Sequence, residues 1–333
     1  MLSFNDILSA KNRIENSDCV IQSETRSFTS IDSALEKKVG RPVNVVFKCD
    51  QDQPVGSFKI RGALNFVLQS GPEGIERGFV THSSGNHGLA VAFAARFVGA
   101  KAVVVVPRGS PAEKIDNIKI AGAELVVCEP TLESRQSTCA QICLQRNMIE
   151  IPPFNHIQTM AGQGTLGLEI TEQVPDADVV VAAVGGCGMI AGVSTALKTI
   201  NPKITIIGAE PSAVDDSFQS LKNGKLCGPS DPSRKTICDA LRVNPPGPLC
   251  FEIVQKFVSQ IIPVEDEEVI DAMRLLWKDA NTMTEPSGAC ATAALFSKDF
   301  IQLLRQNPEW KRIVVIICGR NISKSEFHEM IRE

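Results

Sequence analysis

Short runs of apolar, largely β-branched residues recur along the chain. Between them lie longer stretches whose apolar positions repeat every three to four residues. The runs 43–48, 79–82, 102–106, 124–128, 179–184, 204–209 and 313–318 are strand candidates, and several are apolar on successive residues, as strands buried on both faces of a parallel sheet should be. The helical spacing falls at 59–69, 86–98, 112–121, 133–147, 163–173, 189–200, 266–281 and 288–306. Strand and helix alternate, which predicts an α/β fold. Two linker-like stretches, Gly71-Pro72-Glu73-Gly74 and Pro152-Pro153-Phe154-Asn155, bracket a self-contained run of alternating elements. They predict a small domain, 78–151, inserted into a large one formed by 1–77 and 152–333. The stretch 223–233, rich in Gly, Pro and Ser, reads as an exposed loop.

Composition narrows the classes. At 333 residues the chain is long enough for two lobes. Lys and Arg number 34 against 38 Asp and Glu, with no basic block, which argues against a nucleic-acid or membrane partner. Residues 179–197 are uncharged, but Gly185-Gly186-Cys187-Gly188 interrupts them, so a strand, a glycine loop and a helix fit better than a membrane span. The N-terminus carries an early acid and no apolar core of a secretory signal, and a cytoplasmic protein is expected. The 11 cysteines include no Cys-x-x-Cys pair; the nearest two, Cys139 and Cys143, are one helical turn apart. They read as small hydrophobes in a reducing compartment. With no Tyr and four scattered His, neither tyrosine acid–base chemistry nor a His-rich metal site is expected.

Three motifs carry candidate chemistry. Gly56-Ser57-Phe58-Lys59-Ile60-Arg61-Gly62-Ala63 places a lysine at a helix start beside an aromatic ring. The positive helix end and an apolar setting both disfavour the ammonium, which suits a Schiff-base lysine. The plainer reading is a surface lysine opening a helix. Ser83-Ser84-Gly85-Asn86-His87-Gly88 joins a strand to a helix, where free N–H groups could hold a carboxylate; it also reads as an ordinary serine cap. Gly185-Gly186-Cys187-Gly188 likewise follows a strand and opens a helix, suiting a phosphate. Gly186-x-Gly188, with Glu210 closing the next strand, imitates a dinucleotide fingerprint, but Gly192 falls one residue late for it.

In this order and at this spacing, the three motifs resemble the fold-type II pyridoxal-phosphate enzymes, and within them the serine racemase and serine/threonine dehydratase group. The resemblance runs from about residue 43 to about residue 321. Ala161-Gly162-Gln163-Gly164-Thr165, Gly208-Ala209-Glu210-Pro211, Thr236-Ile237-Cys238-Asp239-Ala240 and Thr284-Glu285-Pro286-Ser287-Gly288-Ala289 support it. It implies two open, twisted α/β domains with the cofactor in the cleft. By resemblance, Lys59 holds pyridoxal 5'-phosphate, Phe58 flanks its ring and Asn86 bonds its ring hydroxyl. Gly185, Gly186, Cys187, Gly188 and Met189 surround its phosphate, and Cys318 faces its pyridine nitrogen. A neutral thiol there makes the ring a weaker electron sink, which suits elimination. Ser84 matches the second-face serine of racemases, where many dehydratases carry alanine. Ser83, Ser84, Asn86, His87 and Arg135 are implied for substrate. Glu210, Val214 and Asp216 are implied for Mg²⁺ or Ca²⁺, oxygen ligands suited to such ions; as bare sequence the acids read as solvated charge.

The expected activity is therefore serine racemisation together with dehydration of serine or threonine, in a homodimer acting on a small amino acid. The alternatives are a dehydratase without racemase activity, a non-catalytic cofactor-binding relative and, more distantly, an NAD oxidoreductase. Several positions depart from the pattern. Cys187 replaces a glycine, Arg320 and Ser323 stand for the usual glycine and aspartate, Leu89 for glutamine and Asn281 for lysine. The stretch 20–30 lacks the usual Leu-Thr-Pro, and 240–251 follows the dehydratases more closely. These departures count against activation by ATP.

Overall fold

The computed structural model describes residues 1–243 and 245–332. Among these residues ten strands form two sheets. The larger orders β1 (Thr25–Arg26), β2 (Asn44–Cys49), β10 (Arg312–Ile317), β7 (Val179–Ala183), β8 (Thr205–Pro211) and β9 (Gln260–Val264), parallel throughout except for β1. The smaller orders β5 (Glu124–Cys128), β4 (Ala102–Pro107), β3 (Phe79–Thr81) and β6 (Ile149–Glu150), all parallel. Central strands such as β7 and β10 are apolar on successive residues because helices cover both faces.

The helices are α1 (Phe4–Ile14), α2 (Thr29–Val39), α3 (Lys59–Gln69), α4 (Gly71–Arg77), α5 (Asn86–Phe97), α6 (Ala112–Ile120), α7 (Leu132–Arg146) and α8 (Ile157–Gln173). They continue as α9 (Gly188–Ile200), α10 (Asp216–Asn223), α11 (Pro248–Phe257), α12 (Asp266–Ala280), α13 (Pro286–Phe296), α14 (Lys298–Gln306) and α15 (Lys324–Met330). Helix α3 packs on both α5 and α8, so it joins the layers of the two sheets. No helix among the described residues is long and apolar enough to cross a membrane. The uncharged stretch 179–197 is β7, a glycine turn and α9.

Three expectations fail for local reasons. Gly71-Pro72-Glu73-Gly74 is the first turn of α4 and not a linker, because proline in the first turn needs no hydrogen-bond partner and already has a helical φ. The helix expected over 288–306 is two helices. Ser297 is extended, and its hydroxyl accepts from the Phe300 N–H to cap α14. The helix expected from 163 starts at Ile157, where the His156 ring accepts from the Gln158 N–H.

A charged cluster lies beneath the start of α3. The Arg61 guanidinium bonds Asp50 at 2.7 Å and Glu169 at 2.6 Å, and the Lys48 ammonium bonds Glu169 at 2.6 Å. Two cations and two anions, all buried, balance one another. The cluster ties α3 to β2 and α8, two residues after Lys59.

Candidate active site

The chain before α3 is laced to the end of β10. Phe58 N donates to Cys318 O at 3.2 Å, and Arg320 N donates to Gly56 O at 2.9 Å. Ser57 and Gly319 form an antiparallel bridge between them. Gly56 has φ +72°, and a Cβ there would meet the Asn321 side chain at 2.3 Å, so both conformation and space require glycine. This lacing brings Lys59 and Cys318, far apart in sequence, to one cavity.

That cavity is lined by Phe58, Lys59, Asn86, Gly185, Gly186, Cys187, Gly188, Met189 and Cys318. Phe154, Leu241, Glu285 and Ser287 complete much of the wall. Lys59 Nζ donates to Pro153 O at 2.9 Å and lies 5.1 Å from the centroid of the Phe58 ring. Burial lowers its pKa to about 8. The Cys318 thiol is pushed up by burial and then by the Glu285 charge, so it stays neutral.

The glycine turn is held from both sides. A Cβ on Gly186 would strike the Phe154 ring at 2.5 Å. The first N–H groups of α9, at the end of this turn, have no intrahelical partner and are aligned for an anion. Cys187 takes a left-handed conformation, φ 67°, at the cap of α9. Its buried Sγ lies 3.5 Å from Ser217 Oγ, which gives the side chain a partner in a conformation glycine would adopt more readily.

Asn86 is held in place by two bonds: its amide donates to Glu285 Oε1 at 2.7 Å and accepts from Asn321 Nδ2 at 2.6 Å. Glu285 also accepts from Asn321 N, and burial followed by the Asp239 charge raises its pKa to about 7. The Thr284-Glu285-Pro286 stretch marks this segment in the sequence, but nothing there assigns Glu285 a place in the cavity. Arg61 is another missed residue; its burial among charges from 50 and 169 has no local signature.

The remaining candidates lie around the cavity. Ser83 and Ser84 form the half-buried turn before α5. The cap of α5 is Gly85 and no side chain caps it, which corrects the capping reading of the serines. Ser83 Oγ accepts from Gly85 N instead. His87 is buried with Nε2 2.9 Å from Ile151 O, and burial followed by the Lys59 charge lowers its pKa to about 3. It is therefore neutral and bonded to backbone. Arg135, on α7, does not line the cavity; its charge acts on His82.

Glu210, the penultimate residue of β8, accepts from the N–H groups of Ser217 and Phe218 at 3.0 and 2.8 Å. Asp216 is buried, and neither of its carboxylate oxygens has a partner among the described residues. Burial lifts Asp216 to about 7, and burial plus the Asp216 charge lifts Glu210 well above the carboxylate range. The Asp216 charge disfavours ionisation of Glu210, a penalty that a bound cation would relieve. Val214, in the short turn between them, is half-buried. Ser217 connects this turn to the glycine loop through Cys187 Sγ and through Gly185 O at 3.4 Å.

The donor set fits a phosphorylated aldehyde with an aromatic nitrogen: an amine of lowered pKa, a neutral thiol, an aromatic neighbour and a helix start in a glycine turn. Comparison with known proteins agrees. The family described as pyridoxal-phosphate dependent enzyme matches residues 31–319. The chain is 40% identical over 299 residues to serine racemase of Oryza sativa subsp. indica, covering 89% of this chain and 84% of that protein. It is 32% identical to L-threonine ammonia-lyase of Thermotoga maritima over 100% of this chain and 79% of that protein. The structure of maize serine racemase superposes with a TM-score of 0.92 at 37% identity, covering 98% of this chain and 96% of that one.

Proposed function

The chain belongs to the pyridoxal-phosphate dependent enzymes of fold type II, and from that premise we propose that it is a serine racemase that also dehydrates serine or threonine. The carrying observation is the convergence of Lys59, Asn86, the glycine turn and Cys318 on one cavity beside the uncapped Ser84 turn. Lys59 would hold the cofactor, Phe58 and Asn86 would hold its ring, and residues 185–189 its phosphate. When bound, the cofactor supplies an electron sink for the charge left at the substrate α-carbon.

The chain's own residues do the rest. The Ser83–Asn86 turn binds the substrate carboxylate, with neutral His87 supporting it from behind. Arg135 would add a cation only if the small lobe, which we place at 78–151, closes over the cleft. Lys59 Nζ takes the α-proton of L-serine from one face. Ser84 Oγ returns a proton to the other face, and the product is D-serine. If the β-hydroxyl departs instead, the elements of water are lost and then regained on hydrolysis, giving pyruvate and ammonia. Threonine gives 2-oxobutanoate by the same route. Glu210, Asp216 and the Val214 carbonyl would hold Mg²⁺ or Ca²⁺, whose charge would offset that of the two buried acids.

The test is the holoenzyme with L-serine, with D-serine resolved by chiral chromatography and pyruvate measured in parallel. Both products are expected. Pyruvate without D-serine leaves a dehydratase, and neither product leaves a cofactor-binding protein without this chemistry.

A further inference from the structure

Away from the cavity, one face of the small sheet is covered by α7. Cys139 and Cys143 are four residues apart on that helix and share the face turned to the sheet. On the sheet side, Val80 pairs in register with Glu150. The period of two places Glu150 and His82 on the α7 side with Val80. The two cysteine sulfurs and a Glu150 carboxylate oxygen all lie within 4.8 Å of one another. His82 Nε2 is 3.6 Å from Glu150 Oε1, and His82 Nδ1 is buried with no partner among the described residues. Cys139 is fully buried, while Cys143 and Glu150 are half-buried, so the group is closed at its base and open at its mouth.

Apolar packing accounts for Cys139, which joins Val80, Val105 and Ile142. It does not account for a carboxylate set against two thiols, with an imidazole beside that carboxylate. We propose that Cys139, Cys143 and Glu150 bind a thiophilic divalent cation such as Zn²⁺, with His82 holding the Glu150 carboxylate and water in the fourth position. Two sulfurs and one oxygen are a zinc donor set and a poor one for Mg²⁺ or Ca²⁺. A tetrahedral zinc site sets its sulfurs about 3.8 Å apart, from Zn–S bonds of about 2.3 Å. The two sulfurs already lie within 4.8 Å of each other, and rotation of two thiol side chains on one helix suffices to set that spacing. Without an ion, burial and the Glu150 charge hold both thiols protonated. As each Zn–S bond forms, the thiol releases its proton to solvent, so one ion displaces two protons.

The site lies at the root of the substrate turn. His82 directly precedes Ser83, and Arg135 lies one helical turn before Cys139 on α7. An ion there joins α7 and β6 and, through His82, reaches the end of β3. It is separate from the Glu210–Asp216 pair, which offers oxygen alone.

Titration of the holoenzyme with Cd²⁺ tests the proposal, since cadmium bound to thiolate absorbs in the ultraviolet. The expected result is a band that saturates at one equivalent, with two protons released per ion. Cys143→Ser removes one thiolate from a half-buried position and should reduce the band and the proton count to one. Glu150→Gln removes a direct oxygen ligand and should weaken binding by at least the roughly 10–100-fold that loss of an outer partner costs. Cys227→Ser, at the other cysteine that is not fully buried, should change neither. Retention of the cofactor's visible band confirms that each variant is folded. A band unaltered by Cys143→Ser, a band lost with Cys227→Ser, or no saturation at one equivalent would overturn the assignment.

Discussion

Ser84→Ala separates the two activities, and the structure sets the size of each effect. Elimination needs one base, Lys59, and a departing β-hydroxyl. Racemisation needs a second proton group on the opposite face, and Ser84 is the group assigned to it. A positioned acid or base contributes about 10²–10⁴-fold, or about 2.7–5.4 kcal/mol of barrier. D-serine formation from L-serine should fall by that factor, and so should pyruvate formation from D-serine. Pyruvate from L-serine should change far less. Loss of a capping serine would cost about 1 kcal/mol of stability. Here the cap of α5 is Gly85 with no side-chain bond, and Ser84 is half-buried. The variant should therefore unfold within about 0.5 kcal/mol of the parent, as other changes clear of caps and cores do. Chiral product analysis, a coupled pyruvate assay and urea unfolding read all three quantities. Equal loss of both activities with a large drop in stability would refute the reasoning, as would D-serine formation that survives the substitution.

Three further outcomes follow from the geometry. In cofactor-free protein, competitive acylation of Lys59 should titrate with a midpoint about 8 and not 10.5; at pH 7 that means roughly 300-fold more free amine than for an ordinary lysine. The unfolded chain then binds the extra proton between those two values, so cofactor-free stability should rise with pH across that window; a flat profile would refute it. Chelation should lower the melting temperature and Mg²⁺ or Ca²⁺ should restore it, while Asp216→Asn should abolish the response; a chelator without effect would reduce Glu210 and Asp216 to buried acids. Glu169→Gln leaves Lys48 and Arg61 facing Asp50 alone and should cost about 3–5 kcal/mol in urea unfolding; a loss below about 1 kcal/mol would mean that water already screens the cluster.

The sequence shows most where local pattern and structure share a cause. β5 and α3 have the expected bounds, 124–128 and 59–69, because an apolar run and a helical period are complete within each. The lysine, the Asn86 turn and the glycine turn are legible because each joins a loop to a helix start. Long-range partners are not. β6 is two residues long and β9 contains Pro263 at a sheet edge, so neither has a strand signature of its own. α1 and α2 could have been read: Ile7, Ala10 and Ile14, then Ile31, Leu35 and Val39, repeat at helical spacing, and Ser3 and Asp6 form a capping box. The Arg61 cluster draws on residues 48, 50 and 169, and no local window contains it.

The order of strands also sets a schedule for synthesis. The small sheet is built from one continuous stretch, so its strands can pair soon after they emerge. β2 instead lies between β1 and β10, and Asn44 meets Arg312 in register. At ~5–20 residues per second, the ribosome needs on the order of tens of seconds to supply that partner. Throughout that interval Val45, Val46 and Phe47 lie on a strand with one parallel edge unpaired, a template for wrong association. The larger sheet thus closes last, and with it the lacing that brings Lys59 and Cys318 together. A nascent chain arrested before β10 should expose β2 to chaperones while its small sheet is already formed.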